Sequence, residues 1–223
     1  MKRIIPFLLF SILYNVCFAQ FQGVLHYDCT LKNQVLMDVY LTPEKVRIEA
    51  KIVPLNNGIA NVSAAKDQHI IIFDLANKKE IKLIPDMKMA SISGYTEILM
   101  DSVAKLTEKD ISVQNAGSEK VGNFSCDHFI ITIRASRKDL WITKDLGISG
   151  LYVGSEFLYY AAGGLVYQLL TAAGASGIVV KSQNGTLKTE LTSYEKKEIP
   201  ANMFQIPSNY QTIDRSTMMH GKN

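Results

Sequence analysis

The side chains able to do chemistry in this chain are four histidines, a few acids and three cysteines, and their spacing assembles no known reaction centre. His26, His69, His128 and His220 lie far apart, with no His-Glu-x-x-His pattern and no cysteine-rich ligand spacing. No metal or other cofactor is therefore expected, and each histidine reads as a lone surface or sheet residue. No Gly-x-Ser-x-Gly elbow, phosphate-binding glycine loop or dinucleotide fingerprint is present, and Ser149-Gly150 and Gly154-Ser155 fit none of these patterns. Asp38 and Asp74 could work as paired carboxylates only through tertiary proximity. An enzyme would need a spatial cluster joining residues such as Asp38, His26, His69 or His128. The expectation is a protein that is not an enzyme.

The elements that would position these residues begin after a leader. Met1-Lys2-Arg3 is a positive start, Ile4 to Tyr14 is mostly apolar, and Cys17-Phe18-Ala19 places small residues where a signal peptidase reads. Residues 1–19 are expected to be removed, leaving 204 residues. Alternatives are an amino-terminal anchor helix or acylation of Cys17. The full chain has 24 basic and 21 acidic residues; losing Lys2 and Arg3 leaves 22 against 21. Near-neutrality, with lysines beside acids as in Glu195-Lys196-Lys197-Glu198, gives no electrostatic footprint for nucleic acid.

Cys29 and Cys126 remain after cleavage. Lone thiols in an oxidising compartment tend to be bridged, and closing nearly 100 residues of chain would contribute about 4–5 kcal/mol. A Cys29–Cys126 disulfide is expected, with two separate buried thiols as the alternative. The spacing is not that of a redox Cys-x-x-Cys pair.

The remainder reads as strands with two helical interruptions. Val35, Met37, Val39 and Leu41 alternate with Leu36, Asp38 and Tyr40; Val46, Ile48, Ala50 and Ile52 alternate with Arg47, Glu49 and Lys51. Thr42-Pro43-Glu44 turns between them. His69 to Leu75 pairs with Lys79 to Leu83. Phe129, Ile131 and Ile133 form another apolar row, followed by a charged bend from Arg134 to Asp139 and the strand Leu140-Trp141-Ile142-Thr143. Asn184-Gly185 predicts a hairpin turn pairing Ser182 with Leu187. Tyr95, Leu99, Val103 and Leu106 sit at helical spacing. Glu198 to Pro207, with Phe204 and Ile206 at alternate positions, is expected to pack and close the domain.

Phe157 to Val180 holds 24 residues without a charged side chain. That length would cross a bilayer, but Gly163-Gly164, Gly174 and Gly177 interrupt it and Gln168 sits near its centre. A buried or cavity-lining helix over Phe157 to Ala173 is expected, with a membrane span or an interfacial lid as alternatives. The glycines suit a hinged lid or, equally, close backbone packing. Candidate ligand contacts are Trp141, Phe157, Leu158, Leu165, Val166, Leu169 and Leu170. Residues 20–211 are expected to form one domain, with a frayed tail over 212–223.

Phe21-Gln22-Gly23-Val24-Leu25-His26-Tyr27, followed by Lys45-Val46-Arg47-Ile48-Glu49, resembles the opening of an exported domain family found mainly in Bacteroidota and known only as a domain of unknown function (number 4412). Gly122 to His128 fits its Gly-x-x-x-Cys-x-His element, and Leu140 to Gly147 its Trp-x-Thr-x-x-Leu-Gly element. Tyr194, Lys196, Pro200, Phe204, Ile206-Pro207 and Tyr210 fit its close. That family is similar to the LolA-like superfamily. The resemblance implies a mainly β fold with packed helices: a curved antiparallel sheet, an unclosed half-barrel, with helices covering its concave face. It implies a periplasmic or envelope protein with a lipid, an acyl chain or an envelope protein as partner, and transient contact with a membrane surface. It assigns no catalytic residue. Phe157 to Ala173 departs from the family pattern in being more continuously apolar.

Overall fold

The period-two stretches become strands of one open sheet. The computed structural model describes residues 21–30, 34–56, 59–60, 66–94, 106–148, 151–152 and 164–215. The first strands are β1 (Gly23–Thr30), β2 (Gln34–Leu41), β3 (Lys45–Val53), the short pair β4 (Leu55–Asn56) and β5 (Ile59–Ala60), then β6 (Lys66–Asp74), β7 (Lys79–Ile84) and β8 (Met89–Gly94). The second half holds β9 (Ile111–Val121), β10 (Phe124–Ile133), β11 (Ser136–Thr143), β12 (Leu151–Tyr152), the helix α1 (Leu165–Ala172), β13 (Gly177–Asn184), β14 (Leu187–Lys196) and β15 (Gln211–Asp214). Apart from the β4–β5 ribbon, the strands form one sheet in the order β15-β8-β7-β6-β3-β2-β1-β14-β13-β11-β10-β9, with β12 beside β13. Pairing is antiparallel except for β15 on β8 and β12 on β13.

Local chemistry sets the turns. The Thr42 hydroxyl accepts the Lys45 N–H at 3.0 Å, closing the β2–β3 hairpin, and Asp74 accepts the Asn77 N–H at 2.9 Å after β6. The expected charged bend after β10 is only the two-residue turn Arg134-Ala135; Ser136 to Asp139 already belong to β11. The β13–β14 turn also differs from expectation. Its central residues are Gly185 and Thr186, Gly185 having φ +57°, and Ser182 faces Thr189 rather than Leu187. The expected register would have set Lys181 opposite Lys188, whereas the observed one sets Lys181 opposite Glu190. Opposite charges across a strand pair stabilise and like charges destabilise. The shift is even, so each side chain keeps its face.

Two neighbouring cross-strand rows define the faces. Cys29, Thr189, Ser182, Leu140 and Phe129 stand in one row across β1, β14, β13, β11 and β10; Asp28, Glu190, Lys181, Trp141 and His128 stand in the next. The first row belongs to the apolar face. There Leu25, Tyr27, Met37, Val39, Val46 and Phe73 form one core, and Phe129, Ile131, Leu140, Ile142 and Val179 form a second beneath α1. On the other face Ile199 and Phe204 bury against Val24, Ile70, Ile72 and Leu83. The carboxyl-terminal segment thus packs as expected, through a 3-10 turn at Ala201–Phe204 rather than a strand. The Arg47 guanidinium donates to the Met203 carbonyl at 2.6 Å, fixing that turn to β3.

Several expectations need correction. Cys29 and Cys126 are both free, buried thiols. They sit on β1 and β10, four strand steps apart in the sheet, or about 19 Å along it at ~4.8 Å per step. A bridge needs Cα atoms about 4.4–6.8 Å apart. In place of a strongly curved half-barrel covered by helices, the described residues hold one α-helix and a sheet that is open and not strongly curled. The expected tail begins with a strand, β15, while residues 216–223 lie outside the described residues. Residues 1–20 and 95–105 also lie outside them, and Leu106 is not helical. Where a helix over Phe157–Ala173 is expected, α1 begins only at Leu165, after an extended Gly164, and Phe157 and Leu158 lie outside the described residues. No helix among the described residues is long and apolar enough to cross a membrane.

Candidate binding cleft

The sheet splits between β13 and β14. These strands pair only from Lys181–Glu190 to Asn184–Leu187. Beyond that point β14 follows β1 up to Gly23–Lys196, whereas β13 follows β11 through Ile142–Val179 and Thr143–Ile178. Each departing strand carries one extra residue at the split, Thr192 in β14 and Val180 in β13, where the registers shift. An extra residue bends its strand and breaks the ladder locally. Two side chains take up the backbone groups concerned. The Thr192 hydroxyl donates to the His26 carbonyl at 2.9 Å, and the buried Tyr27 hydroxyl reaches past β14 to donate to the Val179 carbonyl at 2.9 Å. Burial, with Cys29 adding to it, pushes the Tyr27 hydroxyl's pKa up, so it stays a donor. Tyr27→Phe is expected to cost about 2 kcal/mol, because it strands the Val179 carbonyl. Urea unfolding measures this, and a loss below about 0.5 kcal/mol would contradict that role.

The split leaves a half-open cleft of about 690 Å³. Its apolar walls are Val121 and Phe124 from the β9–β10 hairpin, Leu146 after β11, Val180 of β13, and Leu191 and Tyr194 of β14. Tyr194 is 43% exposed, with its ring centroid 6.4 Å from that of Phe21 and 6.1 Å from that of Phe124. An exposed aromatic held between two others offers apolar area at little entropic cost.

Of the candidate contacts read from the sequence, Phe157 and Leu158 lie outside the described residues, and the other five do not line this cleft. Val166 and Leu170 are 2% and 0% exposed, packed with Leu165 and Leu169 against Phe129, Ile131, Leu140 and Ile142. Trp141 is 8% exposed: His128 stacks on its indole with centroids 4.5 Å apart, and the Lys181 ammonium lies 4.2 Å from the ring centroid. The indole N–H donates to Glu119. None of these residues lines the cleft. Sequence reasoning missed the cleft residues because they belong to four separate segments. The one available signal was the extra residue in each strand, which is visible only once partners are known.

Two of the histidines, His26 and His128, are not lone. His26 Nδ1 lies 2.7 Å from Asp38 Oδ1, and its Nε2 lies 3.8 Å from Glu195, which pairs with Lys197 at 2.6 Å. His128 Nε2 lies 2.8 Å from Asp139 Oδ1, and its Nδ1 lies 3.6 Å from Glu119. The bidentate bonds from Arg137 hold the Asp139 carboxyl below the usual carboxylate range, with His128 adding to the effect. In both clusters the imidazole nitrogens face carboxylates. Such an arrangement fixes the orientation of each ring. Burial pushes the Cys126 thiol up to about 11, with Asp145, Asp127 and Glu119 reinforcing the shift, and burial raises the Cys29 thiol too. Thiols so raised are poor nucleophiles. No group of three or more His, Cys, Asp or Glu placed to hold a metal occurs among the described residues.

The family model described as Domain of unknown function (DUF4412) matches residues 21–210. No curated protein matches the chain. Among solved structures, an uncharacterized conserved protein from Thermus thermophilus superposes with a TM-score of 0.52 at 8% identity, over 89% of this chain and 93% of that one. PNGF-II in its C2 crystal form gives 0.49 at 12% identity, over 90% of this chain and 32% of that one, so this chain spans about a third of PNGF-II. MucB in complex with MucA(peri) gives 0.41 at 14% identity, over 86% and 56%. At these identities the likeness to the Thermus protein is one of fold alone.

Proposed function

The chain belongs to the family described as Domain of unknown function (DUF4412), and we propose that it is an exported envelope protein that holds an apolar ligand, without catalysis, in the cleft between β13 and β14. The observation that carries this reading is the cleft itself: about 690 Å³, half of whose lining residues are the apolar Val121, Phe124, Leu146, Val180, Leu191 and Tyr194. Small-molecule sites commonly occupy about 300–1,000 Å³. Each methylene moved from water into such walls contributes about 0.8 kcal/mol, so a lipid acyl chain binds there without any specific polar contact. In this reading Trp141 and the α1 leucines support the sheet and are not ligand contacts. The non-catalytic part is supported by a sequence without a recognised nucleophile elbow, metal-ligand or cofactor motif. Export is supported by the leader-like residues Met1 to Ala19.

The test is saturable binding of the fluorescent apolar probe N-phenylnaphthylamine, together with mass spectrometry of solvent extracts of the purified protein. Leu191→Arg should weaken probe binding at least about tenfold, since it places a charge in the apolar wall. The exposed Tyr194→Ala should weaken binding while leaving the unfolding midpoint in place. Absence of both probe binding and extractable lipid, or affinities unchanged in both variants, would sink the reading. A second reading, an envelope interaction module with a closed core, is favoured by the full burial of Leu170 on the inner face of α1. It gains if no probe binds and the fold is intact.

A further inference from the structure

We propose that the cleft sorts amphiphiles by the charge of their polar end, accepting an apolar chain that ends in an ammonium or an uncharged group and turning away one that ends in a carboxylate or phosphate. This deepens the reading of the cleft given above and rests on it. Beside its apolar walls the cleft is lined by two carboxylates, Asp145 and Glu190, and by no lysine, arginine or histidine among the described residues.

Asp145 is fixed in place, since its Oδ2 accepts the Ser125 backbone N–H at 2.8 Å. Its negative charge is also one of those that reinforce the burial-driven rise of the Cys126 thiol, which does not line the cleft. The nearby cations are engaged. Lys144 lies 3.6 Å from Asp127, Lys188 lies 2.8 Å from Glu190, and Lys181 faces Glu190 across the strand pair while lying over the Trp141 ring. Lys188 and Lys181 therefore offset part of the Glu190 charge, and Asp145 carries most of the selectivity. Asn123 and Thr192 add uncharged hydrogen-bonding groups to the lining.

A hydrocarbon chain seated among Phe124, Leu146 and Val180 displaces water from the mouth. Charges interact there several times more strongly than in bulk water. An anionic end would be held beside fixed charges of its own sign, while an ammonium would find a carboxylate partner.

The experiment displaces N-phenylnaphthylamine from the purified protein with decylammonium, decanol, decanoate and decyl phosphate at neutral pH and low salt. Decylammonium should bind at least about tenfold more tightly than decanoate or decyl phosphate, with decanol between, and added salt should narrow the gap. The double variant Asp145→Asn, Glu190→Gln should abolish the preference, with circular dichroism showing that the protein remains folded. Anions binding as well as the amine, or a preference that survives the double variant, would overturn the proposal. If decanol and the probe themselves fail to bind, the reading of the cleft falls and this proposal with it.

Discussion

Gly177→Ala should lower the unfolding free energy by about 4 kcal/mol, read as a large fall in the urea midpoint. Gly177 opens β13 at φ +110°, where an L side chain is strained. A Cβ built there would stand 2.0 Å from the Thr143 carbonyl oxygen and 2.8 Å from its carbon. Both obstacles are backbone, so neither can rotate away. β13 would have to leave β11 at the point where Thr143 pairs with Ile178. Because β13 also carries Val180, the same change should weaken probe binding in the fraction that stays folded. A loss below about 1 kcal/mol would show that β13 can slide freely past β11, contrary to the account of the split.

Leu170→Ala should cost about 3–4 kcal/mol, within the range for emptying a fully buried leucine position. Leu170 is 0% exposed and packs against the second core, and its carbonyl accepts the Ala175 N–H at 2.9 Å where α1 ends. Affinity for the probe, measured where the variant is folded, should not change, because α1 contributes nothing to the cleft lining. The opposite pattern, little loss of stability with loss of binding, would move the ligand site beneath α1 and overturn the placement in the cleft.

How much could be read in advance follows from the range of each interaction. Alternation along β2, β3 and β10 reported which residues are buried, since Met37, Val39, Val46, Ile48, Phe129 and Ile131 are all core. That pattern depends only on the pleat of a single strand. The turn at Pro43 was equally legible. The β13–β14 register was not, because the Asn184-Gly185 signal is local while the opposition of Lys181 to Glu190 is a property of the pair. The cysteines failed for the same reason: oxidising surroundings favour a bridge, but strand order puts β1 and β10 four steps apart. Gly177 was readable as either a hinge or a close approach, and only Thr143 of the neighbouring strand chooses the latter.

By itself the sequence determined a mainly β chain with apolar and polar faces and a formal net charge of +3. These are sums and short-range periodicities, fixed before any two distant residues meet. Tertiary structure alone decided that His26 and His128 face carboxylates, that α1 caps a filled core, and that β13 and β14 part around a cleft. Each depends on which strand lies beside which, and backbone hydrogen bonds between strands are the same for every side chain. Order in the sheet is therefore set by burial and charge across the whole molecule, not by any one segment.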